Sequence, residues 1–222
     1  MIVTIDGPAG AGKSTAARAL AKRLGFEFLD TGAMYRAVAW AGHRAGVDLT
    51  KEEQIVGLLT TFQLEMPSSH VVVNGQDITA LIRTPEITAL SKPVADSSAA
   101  RNHLSQLQRK YAAGRNLVTE GRDQGTVVFP DAGCKFFLVA RPEERARRRF
   151  GQLSAAGQKL TFDDVVRAQA ERDARDATRR IAPMQPAADA VLVDSTLLGA
   201  EQVVDLMERI VRERWHQGTP RD

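Results

Sequence analysis

A glycine-rich segment directly after the first apolar run constrains this chain more than any other feature. The run is Ile2-Val3-Thr4-Ile5, and a helical pattern from Ala16 to Lys22 follows the segment. A strand, a glycine-rich loop and a helix in this order form a phosphate-binding loop, because loop N–H groups and the positive helix end face the same anion. We therefore expect an α/β protein that binds a nucleoside triphosphate. The segment consists of Gly7, Pro8, Ala9, Gly10, Ala11, Gly12, Lys13, Ser14 and Thr15.

Two side chains of this loop have predicted chemical roles. We expect Lys13 to reach the outer phosphates as a catalytic residue and the Ser14 hydroxyl to face a Mg²⁺ ion. The sequence shows no clear apolar strand that ends in a metal-binding aspartate. Beyond Ser14, the Mg²⁺ is therefore expected to be held through waters and phosphates.

Short apolar runs alternate with helical patterns along most of the chain. This alternation predicts a five-stranded parallel sheet that is covered by helices on both faces. The predicted strands are 2–5, 26–29, 117–119, 136–139 and 191–193. The predicted helices lie near 13–24, 32–45, 84–112, 142–156, 161–180 and 199–215. We expect a single domain over 1–222, whose core covers about 1–59, 114–144 and 181–222.

Residues 62–78 interrupt this alternation. Phe62–Met66 and Val71–Val73 have strand patterns, and Asn74-Gly75 supplies the two residues with positive φ that a tight hairpin needs. Pro67-Ser68-Ser69 is predicted to form a turn. The sequence thus predicts a small antiparallel insertion that leads into helices outside the core sheet, over about 60–113.

Two arginine-rich stretches are expected to form a helical lid over about 145–180. Several guanidinium groups on one helix face favour a site for phosphate, although a solvated helix surface is the alternative. Gly151–Lys159 between the two stretches is predicted to be a loop tip, as in lids that close over a nucleotide. The arginines and the acid that share faces are Arg141, Arg145, Arg148 and Arg149 in the first stretch, and Arg172, Arg175, Asp176 and Arg179 in the second.

Two further segments follow predicted strands, at the sheet edge where α/β proteins bind ligands. The segment 30–36 begins a helix that carries Arg36 one turn in, and 120–126 places Arg122 beside Asp123 on a glycine-flanked turn. A local ion pair is the alternative for Arg122 and Asp123. Tyr35 is expected either to stack on a base or sugar or to pack in the interior.

Composition excludes several classes of protein. A net charge of +3 does not favour nucleic-acid binding, and the single cysteine excludes an internal disulfide. Cys134 begins an apolar run, which favours a buried strand residue over a reactive thiol. No apolar stretch approaches the roughly 20 residues of a membrane span, and the N-terminus passes directly into a strand. We expect a cytoplasmic, monomeric enzyme of small molecules, without nucleic-acid or membrane partners.

The chain resembles the bacterial cytidylate kinase family of the nucleoside monophosphate kinases over essentially its whole length. The matching segments are 5–15, 29–36, 120–123 with 125–132, and 171–173 with 175–176 and 179. Two positions depart from the usual pattern: Pro93 adds a residue before Arg101, and Gln124 replaces an apolar residue. The resemblance implies that ATP phosphorylates CMP or dCMP with Mg²⁺, and that the insertion binds the nucleoside monophosphate.

The resemblance also implies roles for individual residues. Those that hold the acceptor phosphate are Thr31, Arg36, Arg122 and Arg179. The cytosine is contacted by Ser91, Arg101 and Asp123, and the sugar by Arg172 and Asp176. Tyr35 completes the predicted CMP site, and the predicted catalytic residues are Lys13, Arg122, Arg148 and Arg179.

Other classes of protein fit the sequence less well. An adenylate kinase is expected to have Thr-Gly-Asp-Met where this chain has Thr31–Met34, and a small-metabolite kinase such as shikimate kinase does not need the strand insertion. A GTPase regulator requires an Asn-Lys-x-Asp motif, which is absent from the sequence. In a nucleic-acid-binding protein, the basic residues would cluster on an exposed face without carboxylates such as Asp123.

Overall fold

The computed structural model describes residues 1–67, 70–155, 157–179 and 181–218, and of 216–218 only the backbone. Ser68 and Ser69 of the predicted turn therefore lie outside the described residues. The same holds for Ala156 of the predicted loop tip and for Arg180 at the end of the predicted lid. The chain divides into two compact units, which are described separately. The first comprises residues 1–29 and the chain from 114 onwards, and the second comprises 30–113.

A five-stranded sheet forms the centre of the first unit, which confirms the predicted fold class. Strand β1 lies in the middle, with β6 on one side and β7 followed by β8 on the other, all parallel to it. Ile5 pairs with Glu120 and Val139 pairs with Asp194, so these strands end at one edge of the sheet. The strands are β1 (Ile2–Asp6), β2 (Glu27–Asp30), β6 (Leu117–Glu120), β7 (Cys134–Val139) and β8 (Val191–Asp194), in the order β2-β6-β1-β7-β8.

The helices of the first unit begin and end at clear local signals. Helix α1 (Lys13–Leu24) ends at Gly25, which adopts the left-handed φ of 69° that glycine tolerates best. Helix α7 (Phe162–Thr178) begins with a reciprocal capping box between Thr161 and Asp164. Helices α6 (Pro142–Ala155) and α8 (Ala200–Gly218) complete the unit. Because α6 extends to Ala155, the prediction of a loop from Gly151 is wrong for its first five residues.

The core of the first unit is largely aliphatic. Helices α1 and α8 pack against each other. The rings of Phe26 and Trp215 pack edge to face, with their centroids 4.8 Å apart. Cys134 is fully buried in β7, and burial raises the pKa of its thiol to about 11, as expected for a packing residue rather than a nucleophile. The largest buried side chains here include Ile5, Leu20, Phe136, Leu138 and Met207.

The described residues of the second unit form four α-helices, a short 3₁₀ helix at Leu81–Arg83 and a small antiparallel sheet. Helices α2 (Thr31–Arg44) and α4 (Pro85–Asp96) pack together, as do α3 (Glu52–Leu59) and α5 (Ser98–Ala112). Helix α3 was not predicted. The single helix predicted over 84–112 is wrong, because Ser97 is extended and its hydroxyl caps α5 by accepting from the Ala100 N–H. Pro93 lies inside α4.

The predicted hairpin is present in the second unit. Strands β3 (Leu64–Glu65), β4 (Val72–Val73) and β5 (Gln76–Asp77) pair antiparallel in that order. Asn74 and Gly75 adopt φ values of 49° and 79°, as a tight turn of this kind requires. Within the described part of the chain, no helix combines the length and the apolarity that crossing a bilayer demands.

Candidate active site

The glycine-rich loop lies between β1 and α1. Gly7 has a φ of 138°, and a Cβ there would lie 2.1 Å from the Leu138 carbonyl oxygen, so a side chain does not fit. Gly10 and Gly12 also have positive φ values, 78° and 96°. No side chain among the described residues caps α1 at Gly12, which leaves the first N–H groups of this helix unused by a capping residue. The backbone therefore has the form that an anion site at a helix N-terminus needs.

Lys13 is buried at the start of α1. Its Nζ atom donates a hydrogen bond to the Pro8 carbonyl oxygen at 2.7 Å, across the loop. Burial lowers the pKa of Lys13 well below its usual value, and the positive charge of Arg122 acts in the same direction. A phosphate group near Lys13 would oppose both effects and favour the charged amine.

Ser14 and Glu120 meet at the sheet edge. Ser14 is the second residue of α1 and is exposed, and its hydroxyl donates to Oε1 of Glu120 at 2.8 Å. Glu120 is the last residue of β6 and is buried. A hydroxyl and a carboxylate in contact are hard oxygen ligands of the kind that Mg²⁺ prefers. Thr15, the last predicted residue of the loop, is exposed in the first turn of α1.

Three arginines surround the buried carboxylate of Asp176 on α7. Arg122 donates to Oδ2 at 2.9 Å and Arg179 to Oδ1 at 2.6 Å, while Nε of Arg172 lies 3.9 Å from Oδ2. Burial alone would raise the pKa of Asp176, but the three guanidinium groups outweigh burial and lower it. The structure thus brings together four predicted site residues from two distant segments. Their surplus of positive charge suits a phosphate group.

Asp123 begins a single π-helical turn, Gln124–Val128, where the sequence predicted only a glycine-flanked turn. Asp123 is buried, but its side chain does not cap this turn. The carboxylate of Asp6, at the end of β1, accepts from the N–H groups of Gln124 at 2.9 Å and Gly125 at 2.7 Å. The turn that carries Arg122 and Asp123 is therefore bonded to the residue that precedes the phosphate loop.

Two arginines of α6 contact the phosphate loop itself. Arg145 is buried and donates to the carbonyl oxygens of Ala140 at 2.9 Å and Ala9 at 3.0 Å, and it pairs with Asp173 on α7 at 2.5 Å. Arg148 was predicted to be catalytic. It donates to the carbonyl and hydroxyl oxygens of Ser195 at 2.6 and 3.0 Å, and its contact with the Ala11 carbonyl is longer, at 3.5 Å.

The second unit contains the remaining predicted residues. Asp30 caps α2 by accepting from the Ala33 N–H at 2.9 Å, and Arg36 lies 3.7 Å from the Asp30 carboxylate. Thr31 is buried in the first turn of this helix.

Helices α2, α4 and α5 carry the predicted base contacts of the second unit. The Arg101 guanidinium lies 5.8 Å from the centre of the Tyr35 ring and donates to the Ala95 carbonyl oxygen. Ser91 on α4 donates to the Thr88 carbonyl oxygen within its own helix. The structure thus joins Tyr35 to Arg101, whereas the Ser91 hydroxyl bonds locally.

Sequence reasoning assigned no role to Asp6 or Glu120, and it named Arg145 only as one of the arginines of the first arginine-rich stretch. For the two carboxylates a signal was present, because each directly follows an apolar strand, where α/β proteins place ligand-binding groups. For Arg145 there was none beyond the arginine-rich run, since its partner Ala9 lies 136 residues away in the chain.

Comparison with known proteins gives a consistent result. The family model described as cytidylate kinase matches residues 3–213. The chain is 46% identical over 213 residues to a cytidylate kinase of Rhodopirellula baltica, covering 96% of this chain and 93% of that one. It is 47% identical over 224 residues to a cytidylate kinase of Geobacter sulfurreducens, covering 99% of this chain and 96% of that one.

Solved structures with low sequence identity share the fold. An uncharacterized protein from Eubacterium ventriosum aligns with a TM-score of 0.52 at 10% identity, covering 96% of this chain and 98% of that one. A putative kinase from Chloroflexus aurantiacus aligns with a TM-score of 0.50 at 15% identity, covering 98% and 97%. At these identities the likeness concerns the fold alone.

Proposed function

We propose that this chain, which belongs to the cytidylate kinase family, transfers the γ-phosphoryl group of ATP to CMP or dCMP. An oxygen of the acceptor phosphate forms a bond to the γ-phosphorus, the bond from that phosphorus to the β-phosphate oxygen breaks, and ADP leaves with CDP or dCDP. The observation that carries the proposal is that Arg122, which belongs to the cation-rich cluster around Asp176, directly precedes the buried Asp123 in the chain. Both lie in the same unit as a complete phosphate loop.

The proposed catalysis consists mainly of positioning and neutralisation of charge, as in phosphoryl transfer generally. Residues 7–15 would hold the phosphates of ATP, with Lys13 released from the Pro8 carbonyl to bind them. Arg122 and Arg179 would hold the acceptor phosphate. Arg148, beside the same loop, would supply a further positive charge.

Asp123 is the proposed selector of the base. Cytosine presents an amino group at N4, which a carboxylate can accept from, whereas uracil presents a carbonyl oxygen that a carboxylate repels. Asp123 is buried, so both effects act in a medium of low dielectric constant. Arg172 and Asp176 would bind the sugar.

In the second unit we propose that Thr31 and Arg36 bind the acceptor phosphate, and that Ser91, Arg101 and Tyr35 contact the cytosine. Arg36 is held near the N-terminus of α2 by Asp30, where helix N–H groups also favour an anion. The contact of Arg101 with Tyr35 fixes a cation beside an aromatic face, a surface on which a planar base can stack.

The residues at the sheet edge fit a Mg²⁺ ion. Ser14 and Glu120 are in contact, and both supply oxygen ligands. We propose that Ser14 binds the ion directly and that Glu120 orients Ser14 or a bound water. The ion would neutralise phosphate charge during transfer.

The functional division of the chain follows from these roles. We propose a core of about 1–59, 114–144 and 181–222, an insertion of about 60–113 for the monophosphate, and a lid of about 145–180. The lid would close over ATP and exclude water. The enzyme would act as a cytoplasmic monomer without nucleic-acid or membrane partners.

Steady-state turnover with ATP tests the proposal directly. CMP, dCMP, UMP, AMP and shikimate are offered as acceptors, and ADP release is measured for each. We expect kcat/KM to be highest for CMP or dCMP, and lower for UMP by at least about tenfold, as expected for one mismatched buried polar contact. A preference for AMP or shikimate would contradict the proposal.

A further inference from the structure

The carboxylates of Asp6 and Asp123 have different tasks at the same turn. Asp123 occupies the N-cap position of Gln124–Val128, where an aspartate usually accepts from a nearby N–H group. Here both oxygens of Asp6, a residue 118 positions away in the chain from Gln124, accept the N–H groups at the start of the turn. Asp6, and not the N-cap residue Asp123, therefore caps this turn.

The turn is pressed closely against β1. A Cβ atom on Gly125 would lie 2.9 Å from Thr4 Oγ1 and 3.4 Å from Asp6 Oδ2, so the close approach requires glycine. The buried side chain of Gln124 fixes the other side, because its Oε1 accepts from the Thr119 hydroxyl at 3.1 Å. The position of the turn is therefore set by contacts on both sides.

Asp6 holds this position at an energetic disadvantage. Burial raises the pKa of its carboxyl to about 6, even though the two N–H groups act against that shift. The charged side chains that face it are Asp123, which raises the pKa further, and Lys13, which lowers it. Among the described residues, no arginine or lysine forms a salt bridge with Asp6 within 4.0 Å. A buried carboxylate in such surroundings is a candidate for a functional task.

We propose that Asp6 is a positioning residue for the acceptor nucleotide. By accepting the N–H groups of Gln124 and Gly125 at the start of the turn, it fixes Arg122 and Asp123 relative to Gly7, the first residue of the phosphate loop. This inference rests on the proposed function, because it assumes that Asp123 contacts cytosine.

Two variants disturb the contact in different ways. Asp6→Asn keeps the size of the side chain but presents an amide NH₂ to one of the two N–H groups. Gly125→Ala keeps the Asp6 carboxylate but adds a Cβ atom 2.9 Å from Thr4 Oγ1, so we expect the turn to shift and to lengthen the contact between the Gly125 N–H and Asp6. Thr4→Val is the matched control, because Thr4 is buried on the same strand and its hydroxyl has no hydrogen-bond partner among the described residues.

The measurements are KM for CMP, KM for ATP and the ratio of kcat/KM for CMP to that for UMP, with folding checked by circular dichroism. Asp6→Asn and Gly125→Ala should each raise KM for CMP by about tenfold or more, as expected for loss of one hydrogen bond to a charged group. KM for ATP should stay within about threefold, the CMP preference should fall, and Thr4→Val should match the wild type. A purely structural defect would change both KM values together and leave the preference intact.

The outcomes separate the two proposals. A wild-type enzyme that prefers AMP or shikimate would remove the proposed function. A wild-type enzyme that uses CMP without preference over UMP would remove the base selection proposed for Asp123 and, with it, this inference. A wild-type preference that both variants retain, with unchanged KM for CMP, would overturn the positioning role alone. If Asp6→Asn does not fold, the result for Gly125→Ala decides.

Discussion

Asp176 and Arg23 each lie at the centre of an ionic cluster in the first unit, with the signs reversed. Asp176 contacts Arg122, Arg172 and Arg179, and its side chain is 6% exposed. Arg23 on α1 contacts Glu201, Asp205 and Glu208 on α8, and its side chain is 30% exposed.

The difference between the clusters is one of solvent access and of which charge is in surplus. Of the acids around Arg23, Glu201 and Asp205 are 78% and 63% exposed, so water and salt satisfy their negative charge. The cluster thus links two helices at the surface. The cations around Asp176 enclose a buried carboxylate, where surplus positive charge is better satisfied by a bound anion. Similar geometry therefore links two helices in one place and, in the proposed function, binds the acceptor phosphate in the other.

Removing Arg122 should have the largest effect. Arg122→Ala takes away a proposed ligand of the acceptor phosphate and a partner of Asp176, so kcat/KM for CMP should fall by about 10³-fold. Steady-state kinetics at saturating ATP measures the loss. A variant that folds and retains wild-type turnover would show that the cluster around Asp176 is only structural.

A smaller loss of activity is expected when Arg145, beside the phosphate loop, is replaced. Arg145→Ala breaks a buried contact with Asp173 and frees the Ala9 carbonyl oxygen. Loss of one partner of a buried ion pair typically destabilises by about 3–5 kcal/mol, so thermal unfolding should shift clearly downwards. KM for ATP should rise more than KM for CMP, and the reverse order would contradict a role at the phosphate loop.

The selectivity for cytosine over uracil should decrease when the charge of Asp123 is removed. Asp123→Asn keeps the shape of the side chain, and its amide can donate to the uracil carbonyl. The preference for CMP over UMP, expressed as the free-energy difference from the two kcat/KM values, should decrease by about 1–3 kcal/mol. KM for ATP should change little. An unchanged ratio would remove Asp123 as the residue that distinguishes the bases.

The smallest effect is expected for the ionic cluster around Arg23. Arg23→Ala should lower the midpoint of thermal unfolding by no more than about 4 °C and leave kcat/KM for CMP unchanged, because exposed ion pairs contribute little. The shift should shrink further at high salt. Loss of activity in this variant would mean that the two clusters do not differ in the way described.

Much of this architecture could be predicted from local sequence patterns. The strand–loop–helix order around Lys13 identified the phosphate loop, and Asn74-Gly75 identified the hairpin, because these features depend on a few adjacent residues. The break at Ser97 was missed because a capping serine inside a long helical pattern is also compatible with a continuous helix.

The tertiary partners could not be predicted in the same way. Asp6 caps a turn more than a hundred residues away, and Arg145 bonds to Ala9 across a similar separation. Such contacts exist only once parallel strands bring distant strand ends to one edge of the sheet. Glu120 could have been recognised as a candidate ligand from its place after an apolar strand, but its contact with Ser14 could not.

Calorimetric titration with CMP and with cytidine tests the central claim most directly, because the two ligands differ only in the phosphate. Wild-type protein should bind CMP much more tightly than cytidine. In Arg179→Ala, the ratio of the two affinities should fall by at least about tenfold, with cytidine binding nearly unchanged, since one charge-assisted contact to the phosphate is lost. Arg23→Ala serves as the control and should keep the wild-type ratio. If Arg179→Ala also keeps it, the arginine cluster around Asp176 does not bind the acceptor phosphate.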